Sequence, residues 1–311
     1  MTDNIDQKDY PVGLRRPSGR AAHLRQALSE PSLVVAPGAY DCITARLVAT
    51  AGFQALYITG SGISMSRLGA PDVGLMSFTE VLDQAQRIAD VVDIPVIADA
   101  DTGYGGPLNV IRAVRDLERA GVAAIQIEDQ DWPKRCGHEA GRRLVDTAEM
   151  VGRLKAAVDA RMDQDLVIIA RTDARASEGM DAALERAEAY REAGADVIFF
   201  EAPESEDEMA RVPKALAGTP CLINLVEGGR TPILPADRLE ALGYAIAIFP
   251  NAMTRMVARM GQTMMADLKQ TGTTDGWRDR MLDHRGLWDL FDYPRWMEVE
   301  GRFTELRDPG R

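Results

Sequence analysis

Two apolar segments of the sequence each end in acidic residues. Asp99 and Asp101 follow the segment 94–98, and Glu128 follows the segment 123–127. If the two segments are parallel strands lying side by side, these carboxylates meet at one edge of the sheet. Carboxylates cannot neutralise one another, and hard oxygen ligands suit Mg2+ or Mn2+. The pattern therefore predicts a divalent-metal site, with Glu128 bound directly or through water.

The spacing of Asp99 and Asp101 admits two interpretations. If the strand continues through both residues, its period of two places both side chains on one face. Asp also favours turns, and the glycine-rich segment 103–106 follows. A turn is therefore the alternative.

A basic loop that carries a thiol follows the second acidic segment. Residues 134–138 read Lys-Arg-Cys-Gly-His, and the cationic neighbours would lower the pKa of the Cys136 thiol. Such a thiol serves as a proton donor or as a nucleophile, and the adjacent glycine provides a hinge. A structural zinc site needs four ligands, and the other cysteines of the chain are Cys42 and Cys221. We therefore expect no zinc, and we interpret Cys42 and Cys221 as buried and inert.

Eight short apolar segments predict the framework that holds these residues. They lie near residues 33–36, 54–58, 94–98, 123–127, 166–170, 196–200, 220–223 and 245–249. Runs that are apolar at every position are typical of parallel strands covered on both faces. Several intervening helices end in Ala-Gly or Leu-Gly, where glycine suits the left-handed residue after a helix. Ser77 to Glu80 predicts a capping box, and Pro107 predicts the first residue of a helix.

Eight strand-and-helix units indicate an α/β fold, a (β/α)8 TIM barrel, rather than an open doubly wound sheet. Residues 1–20 are expected to be a flexible N-terminal arm, and residues 21–311 a single barrel domain. From about residue 252 the chain holds a Met-rich helix and then Trp277, Trp288 and Trp296. Exposed Met and Trp at this density would favour association. We expect this tail to dock on its own barrel or on a neighbouring subunit, and we favour the subunit.

Composition excludes several classes of function. The sequence is 46% hydrophobic and 27% charged, as in an ordinary globular protein. No apolar run approaches the roughly 20 residues of a membrane span, and the polar residues 1–20 contain no apolar core of the kind expected in a signal peptide. Three widely spaced cysteines indicate a reducing cytoplasm. A formal net charge of −12 without a basic stripe argues against nucleic-acid binding. A small anion could bind only where local cations, backbone N–H groups or a metal reverse the field.

Nearly every predicted strand delivers a polar residue to its C-terminal end, where barrel enzymes build their sites. Any one of these residues could be a cap or a salt bridge, but all of them together indicate an active site. Gly60-Ser-Gly62 lacks the third glycine and the immediate helix of a dinucleotide fingerprint. It can still present consecutive N–H groups to a carboxylate or phosphate.

Five blocks of the sequence, in order, resemble the isocitrate lyase/phosphoenolpyruvate mutase superfamily. The likeness runs from about Pro37 to Phe303, and the cysteine loop is its most specific part. The blocks are Asp99-Ala-Asp101, Ile127-Glu-Asp-Gln130, Lys134-Arg-Cys-Gly-His138, Ala170-Arg-Thr-Asp-Ala174 and Asn224-Leu-Val-Glu-Gly-Gly-Arg-Thr-Pro232. The resemblance implies a barrel that exchanges its last helix between subunits, a dimer of dimers, and Mg2+ at the strand ends, with Mn2+ as an alternative.

The resemblance also implies roles for matching residues. The metal ligands, mostly through water, would be Asp72, Asp99, Asp101 and Glu128. The substrate-binding residues would be Tyr57, Gly60, Ser61, Gly137, Arg171, Glu201 and Asn224. The catalytic residues would be Cys136 as the acid, Arg171 on the keto-acid oxygen, Tyr57 as a candidate base for the substrate hydroxyl, and His138 and Lys134 beside the thiol.

The expected reaction is a Mg2+-dependent carbon–carbon cleavage. A 2-hydroxy di- or tricarboxylate of the 2-methylisocitrate or 2,3-dimethylmalate type would give pyruvate or a related keto acid plus a carboxylate such as succinate. The segment Glu227-Gly-Gly-Arg-Thr-Pro232 departs from the Glu-Phe-Gly form of typical methylisocitrate enzymes. Phosphonomutase chemistry and decarboxylation or hydrolysis of oxaloacetate remain alternatives. A non-catalytic barrel would be expected to lack the acidic or Cys residues, and none is missing.

Overall fold

The chain forms a closed barrel of eight parallel strands in sequential order, with β1 paired to β8. The computed structural model describes residues 9–15, 17–135 and 142–304. The strands are β1 Val34–Ala39, β2 Leu56–Ile58, β3 Val96–Asp99, β4 Ala124–Glu128, β5 Val167–Thr172, β6 Val197–Phe200, β7 Cys221–Asn224 and β8 Ile246–Phe249. The predicted (β/α)8 barrel is confirmed.

Helices surround the barrel and connect its strands. They are α1 Arg20–Ser29, α2 Cys42–Thr50, α3 Gly60–Ile63, α4 Phe78–Asp90, α5 Pro107–Arg119, α6 Thr147–Ala160, α7 Arg175–Glu178, α8 Met180–Glu192, α9 Glu206–Ala215, α10 Ala236–Ala241, α11 Ala252–Thr271, α12 His284–Asp289 and α13 Tyr293–Thr304. A π-helical turn, Ser64–Leu68, continues α3, and a 3-10 helix, Asp275–Arg280, follows α11. The capping box at Ser77 and the helix start at Pro107 are confirmed.

Alternating side chains of the strands build two hydrophobic layers. One set, including Ile97, Val167 and Phe199, fills the barrel interior, and Leu24 of α1 joins it. The other set, including Ile125, packs under the surrounding helices. Both sets are buried, because parallel strands in a barrel are covered on both faces.

The C-terminal tail docks only in part on its own chain. Trp277 folds back on α11 and donates its indole N–H to Asp267 at 2.8 Å. Arg46 of α2 donates to the Leu290 carbonyl at 2.9 Å, and Arg295 of α13 pairs with Asp9 at 3.0 Å. No side chain of α11 is buried along its full described length. The exchange of this tail between subunits stays a prediction.

Three expectations from the sequence need correction. Strand β3 ends at Asp99, and Asp101 adopts a left-handed φ of 47°, so the turn is the right interpretation. A helix does begin at Gly60, directly after β2, although none was expected there. Cys42 is the first residue of α2 and is only partly buried, whereas Cys221 is buried as expected. No helix in the described part of the chain has the length and apolar character to cross a bilayer.

Candidate active site

A polar pocket lies at the C-terminal ends of the strands. Most of the residues predicted for the site line it, and it also takes in six residues outside the set of site residues predicted from the sequence. The lining residues are Tyr57, Thr59, Ser61, Asp72, Asp99, Glu128, Lys134, Arg135, Arg171, Asn224, Val226, Ile248, Pro250 and Asn251. The unassigned polar residues Thr59 and Asn251 contact each other through their side-chain oxygens at 3.3 Å. A larger cavity of about 740 Å³ adjoins the pocket and adds the apolar Met65 and Val73.

Lys134 joins two of the predicted metal ligands. Its Nζ lies 2.6 Å from Oδ1 of Asp72 and 2.6 Å from Oδ1 of Asp101. Burial disfavours a charged lysine, but the carboxylates of Asp101, Asp72 and Asp99 outweigh it and raise the pKa of Lys134 well above its usual range. Burial also raises the pKa of Asp101 to about 6, against the opposing charge of Lys134. The Lys134 side chain therefore stays protonated and positively charged inside the pocket.

Asp99 is held by neutral donors. Its Oδ1 accepts from the Gln126 amide at 3.2 Å and from the Asp101 backbone N–H at 3.1 Å. Its Oδ2 faces Gly60, where an added Cβ would come within 3.0 Å of it. The Gln126 side chain also accepts from the Tyr57 hydroxyl at 2.7 Å. Sequence reasoning missed Gln126; the available signal was one polar residue inside an otherwise apolar strand.

Arg171 is the cation on the other side of the pocket. Its guanidinium donates to both carboxylate oxygens of Asp173 at 2.9 Å. It also lies 3.4 Å from Glu128 and 3.3 Å from Glu201. Burial opposes the charge of Arg171, but Asp173, Glu201 and Glu128 raise its pKa well above the usual range. Asn224 donates to Glu201 at 3.2 Å, which joins the ends of β6 and β7.

Burial raises the pKa of the Glu128 carboxyl well above its usual range, although Arg171 opposes the shift. Its Oε1 is buried without a hydrogen-bond partner in the described part of the chain. A buried carboxylate oxygen without a donor is costly. This oxygen can accept a hydrogen bond from a bound water or a substrate hydroxyl. Glu128 is therefore suited to bind a metal ion through water.

Comparison with known proteins places this geometry in a family. The family model described as phosphoenolpyruvate phosphomutase matches residues 24–269. The chain is 50% identical to 2,3-dimethylmalate lyase of Eubacterium barkeri, over 92% of this chain and 99% of that protein. The chain belongs to the PEP mutase/isocitrate lyase superfamily.

Other members of the superfamily are also close. A probable 2-methylisocitrate lyase of Corynebacterium glutamicum is 43% identical over 93% of both chains. The structure of oxaloacetate acetylhydrolase in complex with 3,3-difluorooxalacetate matches with a TM-score of 0.88 and 38% identity, over 92% of this chain and 97% of that one. The superfamily therefore includes lyase and hydrolase relatives at comparable similarity.

The residues of this superfamily member fit a hydrated Mg2+. In the described ranges, no three His, Cys, Asp or Glu side chains are placed to hold an ion directly. Mg2+ usually keeps several waters and uses only one or two carboxylates. Asp99 Oδ2 at the pocket wall and the unpaired Glu128 Oε1 suit that arrangement. A superfamily structure with 31% identity and a TM-score of 0.83, phosphonopyruvate hydrolase, was obtained with oxalate and Mg2+.

Cys136, Gly137 and His138 lie outside the described residues, but the residues flanking them on both sides reach this mouth of the barrel. Lys134 and Arg135 line the pocket, and Arg142 pairs with Asp173 at 2.5 Å. Gln130 bonds both the N–H and the carbonyl of Arg135. Both ends of the cysteine loop therefore lie at the same mouth as the acidic residues.

Proposed function

We propose that the protein is a Mg2+-dependent carbon–carbon lyase. Its substrate would be a 2-hydroxy di- or tricarboxylate of the 2,3-dimethylmalate or 2-methylisocitrate type, cleaved to pyruvate or a related keto acid and a second carboxylate. The observation that carries this proposal is one pocket where acidic residues face Arg171 and Lys134. The 50% identity to 2,3-dimethylmalate lyase supports the dicarboxylate first.

The keto-acid half of the substrate would lie against β2. The N–H groups of Gly60 and Ser61 begin α3 and have no partner within the helix, so they can donate to a carboxylate. Tyr57 lies beside them. Arg171, fixed by Asp173, would donate to the oxygen that becomes the keto group and stabilise the charge developing there.

The acidic residues would hold the metal, mostly through water, as Asp72, Asp99, Asp101 and Glu128. Mg2+, or Mn2+ in its place, would act as a Lewis acid that eases transfer of the hydroxyl proton to a water in the pocket. As the carbon–carbon bond breaks, its electron pair stays on the departing carboxylate fragment. Cys136 would donate a proton to that carbon, with Lys134 and His138 near the thiol and Gly137 next to it.

The adjoining cavity bears on the second substituent of the substrate. Its apolar lining includes Met65, Val73 and Val226. Lys134, Arg135 and Arg255 line the same cavity, so it suits either a methyl group or a third carboxylate. The preference for a dimethylmalate-type substrate rests on the 50% identity to 2,3-dimethylmalate lyase.

One assay distinguishes this proposal from two alternatives. Protein with Mg2+ would be offered 2,3-dimethylmalate, 2-methylisocitrate, oxaloacetate and phosphonopyruvate, with pyruvate followed by a coupled reductase and oxalate measured separately. Pyruvate from a hydroxy acid, abolished by EDTA and by Cys136→Ser but not by Cys42→Ser, supports the lyase. Oxaloacetate turnover that survives Cys136→Ser favours hydrolysis or decarboxylation, the alternative supported by the similarity to oxaloacetate acetylhydrolase. Conversion of phosphonopyruvate alone favours phosphonomutase chemistry.

We further propose that the enzyme is a homo-oligomer, a dimer of dimers, in a reducing cytoplasm. The exposed side chains of α11 support subunit contacts through that helix, and the free thiols of Cys42 and Cys221 suit the compartment.

A further inference from the structure

Lys134 occupies the oxygens that the proposed metal site would use. Its Nζ is equally close, at 2.6 Å, to Asp72 Oδ1 and Asp101 Oδ1. The side chain of Lys134 is 4% exposed, and those of its partners are 12% and 7% exposed. Such a buried ammonium stays in place only because the two carboxylates hold it.

The carboxylates of the pocket form two groups, each paired with one buried cation. Arg171 forms ion pairs with Glu128, Asp173 and Glu201 on one side of the pocket. On the other side, Lys134 is the one cation paired with Asp72 and Asp101 among the described residues. Without it, two largely buried carboxylates would face Asp99 with no positive charge between them.

A divalent ion and this ammonium therefore compete for the same place. In the proposed function the ion would use oxygens of Asp72 or Asp101, directly or through water, and the Lys134 ammonium already contacts these oxygens. Like charges a few ångströms apart repel. We propose that Lys134 is the internal counter-ion of the metal site: it holds Asp72 and Asp101 in position in the metal-free protein and leaves at least one of them when the ion binds. This inference rests on the proposed function, since it takes those carboxylates as metal ligands.

The fluorescence of Trp132, two residues before Lys134, can report that movement. The Trp132 ring lies against Gly74, where an added Cβ would be 3.3 Å from the ring and 3.5 Å from the Lys134 backbone N. Gly74 is two residues from Asp72, so the two segments joined by the ion pair also pack together. Movement of Lys134 away from Asp72 should alter the surroundings of Trp132.

Metal binding to purified full-length protein tests the inference directly. Mg2+ and Mn2+ affinities would be measured by calorimetry for the wild type, Lys134→Met, Lys134→Arg and the exposed-lysine control Lys155→Met. We expect Lys134→Met to bind the ion about tenfold more tightly or better, because the competing charge is gone. Lys134→Arg keeps the charge and should bind at least tenfold more weakly than Lys134→Met, and Lys155→Met should match the wild type.

Melting temperatures supply a second measurement. In EDTA, Lys134→Met should melt below the wild type, and saturating Mg2+ should close most of that gap because the ion replaces the missing charge. Mg2+ should also change the tryptophan fluorescence of the wild type but not of Trp132→Phe. If Lys134 has a purely structural role, Lys134→Met should bind the ion more weakly than the wild type does. Mg2+ should then not restore the melting temperature of the variant.

Failure of the counter-ion role and failure of the proposed function give different results. If Lys134→Met binds the ion no more tightly than the wild type does, the counter-ion role is wrong while the lyase proposal stands. If the wild type binds neither Mg2+ nor Mn2+ yet cleaves a substrate, the metal dependence of the proposed function is wrong.

Discussion

Asp173 holds Arg171 through two parallel hydrogen bonds, from Nε to Oδ2 and from Nη2 to Oδ1, both 2.9 Å long. A two-point contact between planar groups fixes the orientation of the guanidinium as well as its position. The backbone N–H of Asp173 in turn donates to Asp129 at 2.9 Å, which also accepts from Tyr190. The end of β5 is therefore a rigid support for the cation that we propose faces the substrate.

Replacing Asp173 by Asn should reduce activity more than substrate binding. The variant loses the charged two-point contact, and a misplaced catalytic group costs roughly 100-fold in rate. We expect kcat to fall by about that factor with KM changed severalfold, and the melting temperature to drop because breaking a buried pair costs about 3–5 kcal/mol. Asp279→Asn, at an exposed position in the tail, is the control. Equal kcat in the two variants would contradict the positioning role.

Arg171→Lys tests the cation itself. Lysine keeps the charge but cannot donate in two parallel directions to Asp173 while reaching the substrate. We expect kcat/KM for the hydroxy acid to fall by roughly 100- to 1,000-fold, the cost of losing one donor to a developing oxyanion. Steady-state kinetics with circular dichroism as a folding check would measure it. Full activity would remove Arg171 from the reaction.

The three cysteines should differ sharply in reactivity. Burial raises the pKa of Cys221 to about 12, so its thiolate fraction at pH 8 is on the order of 0.01%. Burial and the charge of Asp41 raise the pKa of Cys42 as well. Iodoacetamide at pH 8, followed by peptide mass spectrometry, should modify Cys136 first and Cys221 last. Labelling of Cys42 before Cys136 would argue against an activated thiol in the loop.

Sequence patterns were sufficient for the framework and for most of the pocket. Largely apolar runs located eight strands, and the polar residue after the run identified Asp99, Glu128 and Arg171 because all parallel strand ends share one mouth. The pairing of Lys134 with Asp72 could not be predicted, since it depends on how two loops distant in sequence fold together. The same holds for Gln126 of β4, whose two partners lie on β2 and β3.

Helix α11 should mediate subunit association. Met256, Met260 and Met265 are exposed by 58%, 36% and 52% on this helix, and burying such side chains between subunits stabilises an oligomer. We expect Met256→Glu/Met260→Glu to shift the molar mass by light scattering toward the monomer. Gln262→Glu, which adds one of the same charges to this helix, should leave it unchanged. An oligomer that survives the double substitution would place the interface elsewhere.

Tyr57 should act as a neutral hydrogen-bond donor rather than as the base that removes the hydroxyl proton. Its hydroxyl donates to Gln126 at 2.7 Å, and burial together with the charge of Asp99 raises its pKa well above the usual range. A base must be deprotonated, and a raised phenol pKa keeps the proton in place throughout the neutral range. Tyr57→Phe should therefore lower kcat by about 10- to 100-fold, through a lost hydrogen bond, while the pH profile of kcat/KM keeps its shape. If the variant instead loses the limb on which activity rises with pH, Tyr57 is the base, and its pKa in the working enzyme must be lowered by the bound metal.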